Sequence, residues 1–177
     1  MKETEIKFRV EELDGIRKKL NLNGAVKKAG FFEDNLVFDD QNGSLFQQEC
    51  LLRLRKSDKI TLTFKKPIEK ARYKIMEELE IEVSDFDKAF SIFTCLGYKK
   101  VFRYQKNREI FSIGGALVCL DQTPIGSFVE IEGEQQDILK SASILEMNME
   151  AGTSKNYMEL YREHCSANNI TPSDMVF

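Results

Sequence analysis

Residues 3–9 read ETEIKFR, and the fold turns on how that stretch is laid out. Glu3, Glu5, Lys7 and Arg9 take every second position, with Ile6 and Phe8 between them. A period of two is the mark of a strand with one polar and one apolar face. Neighbours two apart on such a face stand roughly 6–7 Å from one another. The stretch therefore lines up two carboxylates and an ammonium. A row of that kind faces water, or it faces something that neutralises it.

The pattern recurs along the chain. LLRLR (51–55) sets Arg53 and Arg55 against Leu52 and Leu54. TLTFKKP brings Lys65 to the end of a strand, and EELEIEV alternates Glu78, Glu80 and Glu82 with Leu79, Ile81 and Val83. QKNRE offers Lys106 and Arg108, Asp121 closes a later strand, and FVEIEG sets Glu130 and Glu132 against Val129 and Ile131. Any one pair reads as the wet face of an antiparallel sheet. Together they give nearly every strand one ionic and one apolar face. Strand-like segments fall at about 2–10, 34–39, 50–56, 59–66, 74–83, 99–112, 115–122 and 127–133. Helix-like segments fall at about 12–22, ending near Gly24, at 85–96 with Ser84 and Asp87 in capping-box-like spacing, and near 135–146 and 154–166. The expectation is an α+β fold in which amphipathic helices cover the apolar faces from outside. The eight strands then close into an antiparallel barrel, a tunnel with a charged interior just wide enough for side chains or one small ligand.

Such an interior is not stable by itself. Like charges about 4 Å apart repel by a few kcal/mol even at an effective dielectric near 20, and unpaired buried charge costs more. The acids are Glu3, Glu5, Glu78, Glu80, Asp121, Glu130 and Glu132; the bases are Lys7, Arg53, Arg55, Lys65, Lys106 and Arg108. Cross-lumen salt bridges offset part of the cost. A compact polyanion on the bases and a hard cation on the acids offset the rest. A triphosphate with Mg²⁺ or Mn²⁺ satisfies both, since these metals take oxygen ligands and bridge phosphates.

Composition sets the outer limits. The chain has 177 residues, 42% hydrophobic and 31% charged, with a net charge of −3. One domain is expected over 1–177, with residues 166–177 an irregular tail. The charge argues against a surface that grips nucleic acid as a whole. No apolar run reaches membrane-span length and the first residues are charged, so the expectation is a cytoplasmic protein without membrane contact. Cys50, Cys95, Cys119 and Cys165 are scattered with no CxxC pair, which reads as reduced thiols. His164 is the sole histidine, which removes three-histidine metal sites.

The ordered set of motifs resembles the CYTH family, the triphosphate tunnel metalloenzymes. Glu3-x-Glu5-x-Lys7 matches its ExExK signature. The likeness continues through LLRLRKSDKITLTFKKP, EELEIEVSDFDKAFSIFTCLGYKKV, YQKNREIF, LVCLDQTPIGSFVEIEG and YMELY, over about residues 1–165. The resemblance implies that Glu3, Glu5, Asp121, Glu130 and Glu132 hold a catalytic-side metal, with Glu78 and Glu80 near a second. It implies that Lys7, Arg53, Arg55, Lys65, Lys106 and Arg108 cradle the phosphates, with Lys7, Lys106 and Arg108 nearest the chemistry and Lys155 added from the last helix. The LGYKKV run, the Lys106-x-Arg108 element and IGSFVEIEG are most similar to the class IV adenylyl cyclase branch, which makes cyclic AMP and pyrophosphate from ATP. Hydrolysis of tripolyphosphate or thiamine triphosphate is the alternative, and non-catalytic binding of nucleotide or polyphosphate the next. Monomer and homodimer both stay open. EDNLVFD departs from the family's QxDxYFD, with Asn35 for an acid and Val37 for the aromatic, and Met76 stands where an arginine is common.

Overall fold

A computed structural model describes residues 2–70 and 74–177; the side chains of residues 2, 3, 69, 70 and 74 lie outside that description. The elements run β1 (Lys2–Val10), α1 (Asp14–Leu22), β2 (Val26–Asp39), α2 (Ser44–Gln47), β3 (Leu51–Lys56), β4 (Ile60–Lys70) and β5 (Lys74–Glu82). They continue α3 (Phe86–Cys95), β6 (Lys99–Ile113), β7 (Ala116–Thr123), β8 (Gly126–Glu132), α4 (Gln135–Ile144), a 3₁₀ turn at Met149–Ala151 and α5 (Tyr157–Ala167). Every strand pairing is antiparallel, in the order β1-β5-β4-β3-β2-β6-β7-β8. β1 pairs with β8 as well as β5, so the ladder returns to its start. Closure of this kind leaves no sheet edge to pair with another chain.

The period of two decides which residues the helices cover. Ile6 and Phe8 of β1, Val118 and Leu120 of β7, and Val129 and Ile131 of β8 form one buried cluster with Leu20, Ile138, Ala142 and Leu145 from α1, α4 and its end. Leu36 and Phe38 of β2 and Leu52 and Leu54 of β3 are buried with Phe93 of α3. The outer face of β5 is buried at Ile75 but uncovered farther along, with Leu79 and Ile81 exposed. α5 packs differently. It meets Val37, Phe102 and Tyr104, residues of the opposite, cavity-side parity.

Several boundaries differ from expectation for local reasons. β2 starts at Val26, not 34; like residues side by side at Lys27–Lys28 and Phe31–Phe32, with a register shift between Lys27 and Ala29, leave its first half without a period of two. The cap of α3 is Asp85, whose carboxylate accepts from Lys88 N at 3.0 Å, not Ser84. α5 starts at Tyr157, where Asn156 and Glu159 form a reciprocal capping box. Gly24 does end α1, in the left-handed conformation at φ 73°.

The tail is irregular but docked. Residues 99–106 of β6 extend beyond its pairing with β7, which spans Asn107–Ile113. Met175 fills that side in parallel, donating to Arg103 O and accepting from Gln105 N, both at 2.9 Å. Its side chain is buried. β1 has a similar gap beyond its pairing with β5, and Thr153 fills it with two backbone bonds to Lys7. No helix among the described residues is long and apolar enough to cross a membrane.

Candidate functional site

Glu5, Lys7, Arg53, Arg55, Lys65, Glu78, Glu80, Lys106, Arg108, Glu130 and Glu132, all singled out from the sequence, line one cavity of about 260 Å³. Strand register builds it, since antiparallel neighbours on one face are direct contacts. Lys7 stands opposite Glu130, Lys65 opposite Glu78, Arg108 near Asp121, and Glu5 opposite Glu132. Asp121 is fully buried just behind the lining. Lys155 stands apart: it borders a neighbouring cleft and pairs with Glu163 at the surface. The side chain of Glu3 lies outside the described residues.

The charges form two paired groups. In the first, Asp121 Oδ1 accepts from Arg108 Nε at 2.7 Å and its Oδ2 from Lys106 Nζ at 2.9 Å. Glu130 Oε2 lies 2.7 Å from Arg108 Nη2, and its Oε1 lies 3.1 Å from Lys7 Nζ. In the second, Arg53 donates to Thr63 Oγ1 at 3.1 Å and Thr63 donates to Glu80 at 2.7 Å. Arg55 pairs with Glu80 at 3.2 Å and Lys65 with Glu78 at 3.2 Å. Burial works against the ammonium of Lys7, yet Glu130 and Glu5 outweigh it and hold its pKa above the ordinary lysine range. Burial likewise opposes the Glu130 carboxylate, and Arg108, Lys7 and Lys106 pull its pKa well below the usual range. Lys7 therefore stays charged and Glu130 stays ionised across neutral pH.

Some of the working parts were not picked out from the sequence. Glu33 is fully buried and lies 3.5 Å from Arg55, 3.7 Å from Lys106 and 3.9 Å from Arg108. Burial opposes its ionised form, but those three cations bring its pKa down to about 2. It sits two positions before Asn35 and four before Val37, so the alternation of β2 extended backward would have found it. Tyr104 and Tyr157 also line the cavity, and neither was singled out from the sequence.

A bound divalent cation of the hard class requires converging oxygen ligands. Among the described residues, no three carboxylate, histidine or thiol groups converge as a ready metal cage. Asp121 is occupied by Lys106 and Arg108, so its oxygens balance bases in this state. The opposite rim differs. Glu5 and Glu132 are directly opposed across β1 and β8. Burial raises the pKa of Glu132, Lys65 opposes that rise, and the charge of Glu5 adds to it. Glu130 Oε1 is buried between Lys7 Nζ at 3.1 Å and Lys106 Nζ at 3.8 Å without a well-aligned hydrogen bond. The opposed carboxylates of Glu5 and Glu132 beside that of Glu130 form an all-oxygen donor set that fits a hard divalent cation.

A second cleft of about 750 Å³ adjoins the first and shares Val37, Leu51, Asn156 and Met158 with it. Phe38, Phe46, Met76 and Val101 give it apolar walls, and Asp39, Lys155 and Arg162 a polar margin. A charged chamber thus continues into a larger, more apolar one, the arrangement needed by a molecule with an anionic and an organic end.

The model of the CYTH domain matches residues 1–159. A protein of Methanocaldococcus jannaschii named "Putative adenylate cyclase" is 29% identical over 158 residues, covering 85% of this chain and 87% of that protein. Two solved structures of archaeal proteins are similar throughout. A conserved hypothetical protein from Pyrococcus furiosus has a TM-score of 0.79 at 27% identity, covering 89% of this chain and 99% of the other. The protein PH1012 from Pyrococcus horikoshii has a TM-score of 0.78 at 28% identity, covering 89% and 98%.

Proposed function

This chain belongs to the CYTH domain family, and from that premise we propose that it is a divalent-metal-dependent adenylyl cyclase of the class IV type, converting ATP to cyclic AMP and pyrophosphate. The observation that carries the proposal is the junction of the two chambers. Arg53, Arg55, Lys65, Lys106, Arg108 and Lys7 converge where a triphosphate would lie, and the apolar cleft opens from the same place through Val37, Leu51 and Met158. An inorganic polyphosphate would use the first chamber and leave the second without a role. The name of the Methanocaldococcus relative supports the same reading.

Electrostatics supports a cation at the site. The bases at the site are nearly balanced by Glu5, Glu33, Glu78, Glu80, Asp121, Glu130 and Glu132. A triphosphate brings several further negative charges, and burying them uncompensated is costly. Glu5, Glu130 and Glu132 would hold Mg²⁺ or Mn²⁺, joined by Glu3 on the family pattern. When bound, that ion supplies charge neutralisation and polarisation of oxygen.

The chain's own residues carry the rest. Arg53, Arg55 and Lys65 bind phosphate oxygens and fix the length of the triphosphate. Lys7, Lys106 and Arg108 stand where charge builds as the leaving group departs. The ribose 3′-oxygen forms a bond to the α-phosphorus, the bond from that phosphorus to the bridging oxygen breaks, and pyrophosphate leaves as the hydroxyl proton is released. Holding the 3′-oxygen in line supplies most of the acceleration expected of such a site.

The test is product analysis with purified protein, Mg²⁺ or Mn²⁺, and ATP, tripolyphosphate or thiamine triphosphate in parallel. Cyclic AMP and pyrophosphate from ATP are expected. Rapid release of orthophosphate from tripolyphosphate, with no cyclic AMP from ATP, makes the protein a triphosphatase and refutes the cyclase assignment.

A further inference from the structure

Tyr157 is the first residue of α5 and is buried against the charged cavity. Its hydroxyl donates to Asp121 Oδ2 at 2.6 Å, the oxygen that also accepts from Lys106. Its ring centroid lies 4.9 Å from Lys7 Nζ and 4.8 Å from Lys106 Nζ. Tyr104 and Phe128 pack against the ring at 5.8 and 5.5 Å between centroids, so it has little freedom to turn. One side chain therefore touches both lysines of the first charge group and the carboxylate behind them.

The backbone holds that side chain in place from both directions. Thr153, four residues earlier, is tied to the backbone of Lys7 itself. After the helix, Met175 is tied to Arg103 and Gln105. Asn156 and Glu159 cap the first turn reciprocally.

We propose that Tyr157 is a positioning residue for the triphosphate: its ring steers the ammonium groups of Lys7 and Lys106 toward the phosphates, and its hydroxyl satisfies Asp121 so that this carboxylate does not hold Lys106 and Arg108 away from them. The inference rests on the triphosphate reading of the cavity and deepens it. The ring attracts cations with its π face, while the hydroxyl takes up one of the carboxylate's acceptor sites. Removing the hydroxyl alone leaves Asp121 with only the two bases as partners. They then bind the carboxylate more tightly and the substrate less.

The experiment is calorimetric binding of tripolyphosphate with Mg²⁺ to the full chain, together with steady-state kinetics on ATP. Tyr157→Phe keeps the ring and should weaken binding about tenfold, the scale of one hydrogen bond to a charged group. Tyr157→Leu loses ring and hydroxyl and should weaken it about a hundredfold, with Phe restoring part of the loss. In both, KM should rise and kcat should fall with it, because Lys7 and Lys106 hold the phosphates in the ground state and also meet the charge that builds as the leaving group departs. Tyr157→Phe in an Asp121→Asn background should add almost nothing, since the hydroxyl acts through that carboxylate. Folded variants that bind within twofold of the parent overturn the inference, as does a fall in kcat at constant KM. A parent protein that binds no tripolyphosphate and no ATP fails at the first arm instead, and that result removes the triphosphate reading itself.

Discussion

Replacing Glu33 by glutamine should cost the protein about 3 kcal/mol at pH 7, on a scale of about 1.4 kcal/mol per pKa unit. The magnitude comes from its surroundings. The carboxylate is fully buried among Arg55, Lys106 and Arg108, which lower its pKa from 4.5 to about 2. Removing one partner of a buried ion pair independently costs roughly 3–5 kcal/mol. The lower end applies here, because Arg55 keeps Glu80 while Lys106 and Arg108 keep Asp121. The sign with pH follows from the depressed folded-state value. The stabilisation is complete above about 4.5 and is lost as pH falls through about 2. Parent and variant should differ by roughly 6–12 °C in Tm at pH 7 for a chain of this size, and converge toward pH 2. Denaturant unfolding at pH 7, 4 and 2.5 measures the trend directly. Tripolyphosphate affinity should move the other way and rise several-fold, because one negative charge leaves the neighbourhood of three bases. A variant within about 0.5 kcal/mol of the parent at pH 7, or a gap that stays constant as the pH falls, refutes the argument.

Leu54→Ala, in the fully buried cluster under α3, should lose about 2–5 kcal/mol in denaturant unfolding and leave the Kd for tripolyphosphate unchanged. Gly152→Ala should place a methyl group against Ile6, whose Cγ1 lies 2.8 Å from the ideal Cβ position, and cost about 1–3 kcal/mol. Because Thr153 then shifts from Lys7, its tripolyphosphate affinity should fall as well. Chelating divalent metal should abolish turnover while far-UV circular dichroism stays native, since none of the three apolar clusters depends on the acids at the rim. Truncation after Ile170 should raise hydrogen exchange at Gln105, whose amide loses its partner Met175.

Much of the barrel could be read directly from alternation. LLRLR assigned Arg53 and Arg55 to one face and Leu52 and Leu54 to the other without ambiguity, and the four later strands were placed to within a residue or two. The inventory of cavity bases followed from the same rule, apart from Lys155, whose position in the turn before α5 has no strand parity to constrain it. Glu33 was hidden because its neighbours do not alternate in type: Phe31 and Phe32 precede it and Asp34 and Asn35 follow it. Tyr157 was hidden for another reason: on a helix, an aromatic that serves a charged site carries the same spacing as one that fills a core.

Local sequence thus determined which side chains share a face, because the pleat sends successive residues to opposite sides whatever the strand pairs with. It determined the helix stops and caps in the same way, through glycine and short polar side chains acting on their own backbone. Which base meets which acid came only from tertiary structure. Glu33 reaches Lys106 across 73 positions of chain, and β1 meets both β5 and β8. Contacts at that separation depend on the register in which the whole ladder closes. That register is a property of all eight strands packing together, and no single stretch of sequence contains it.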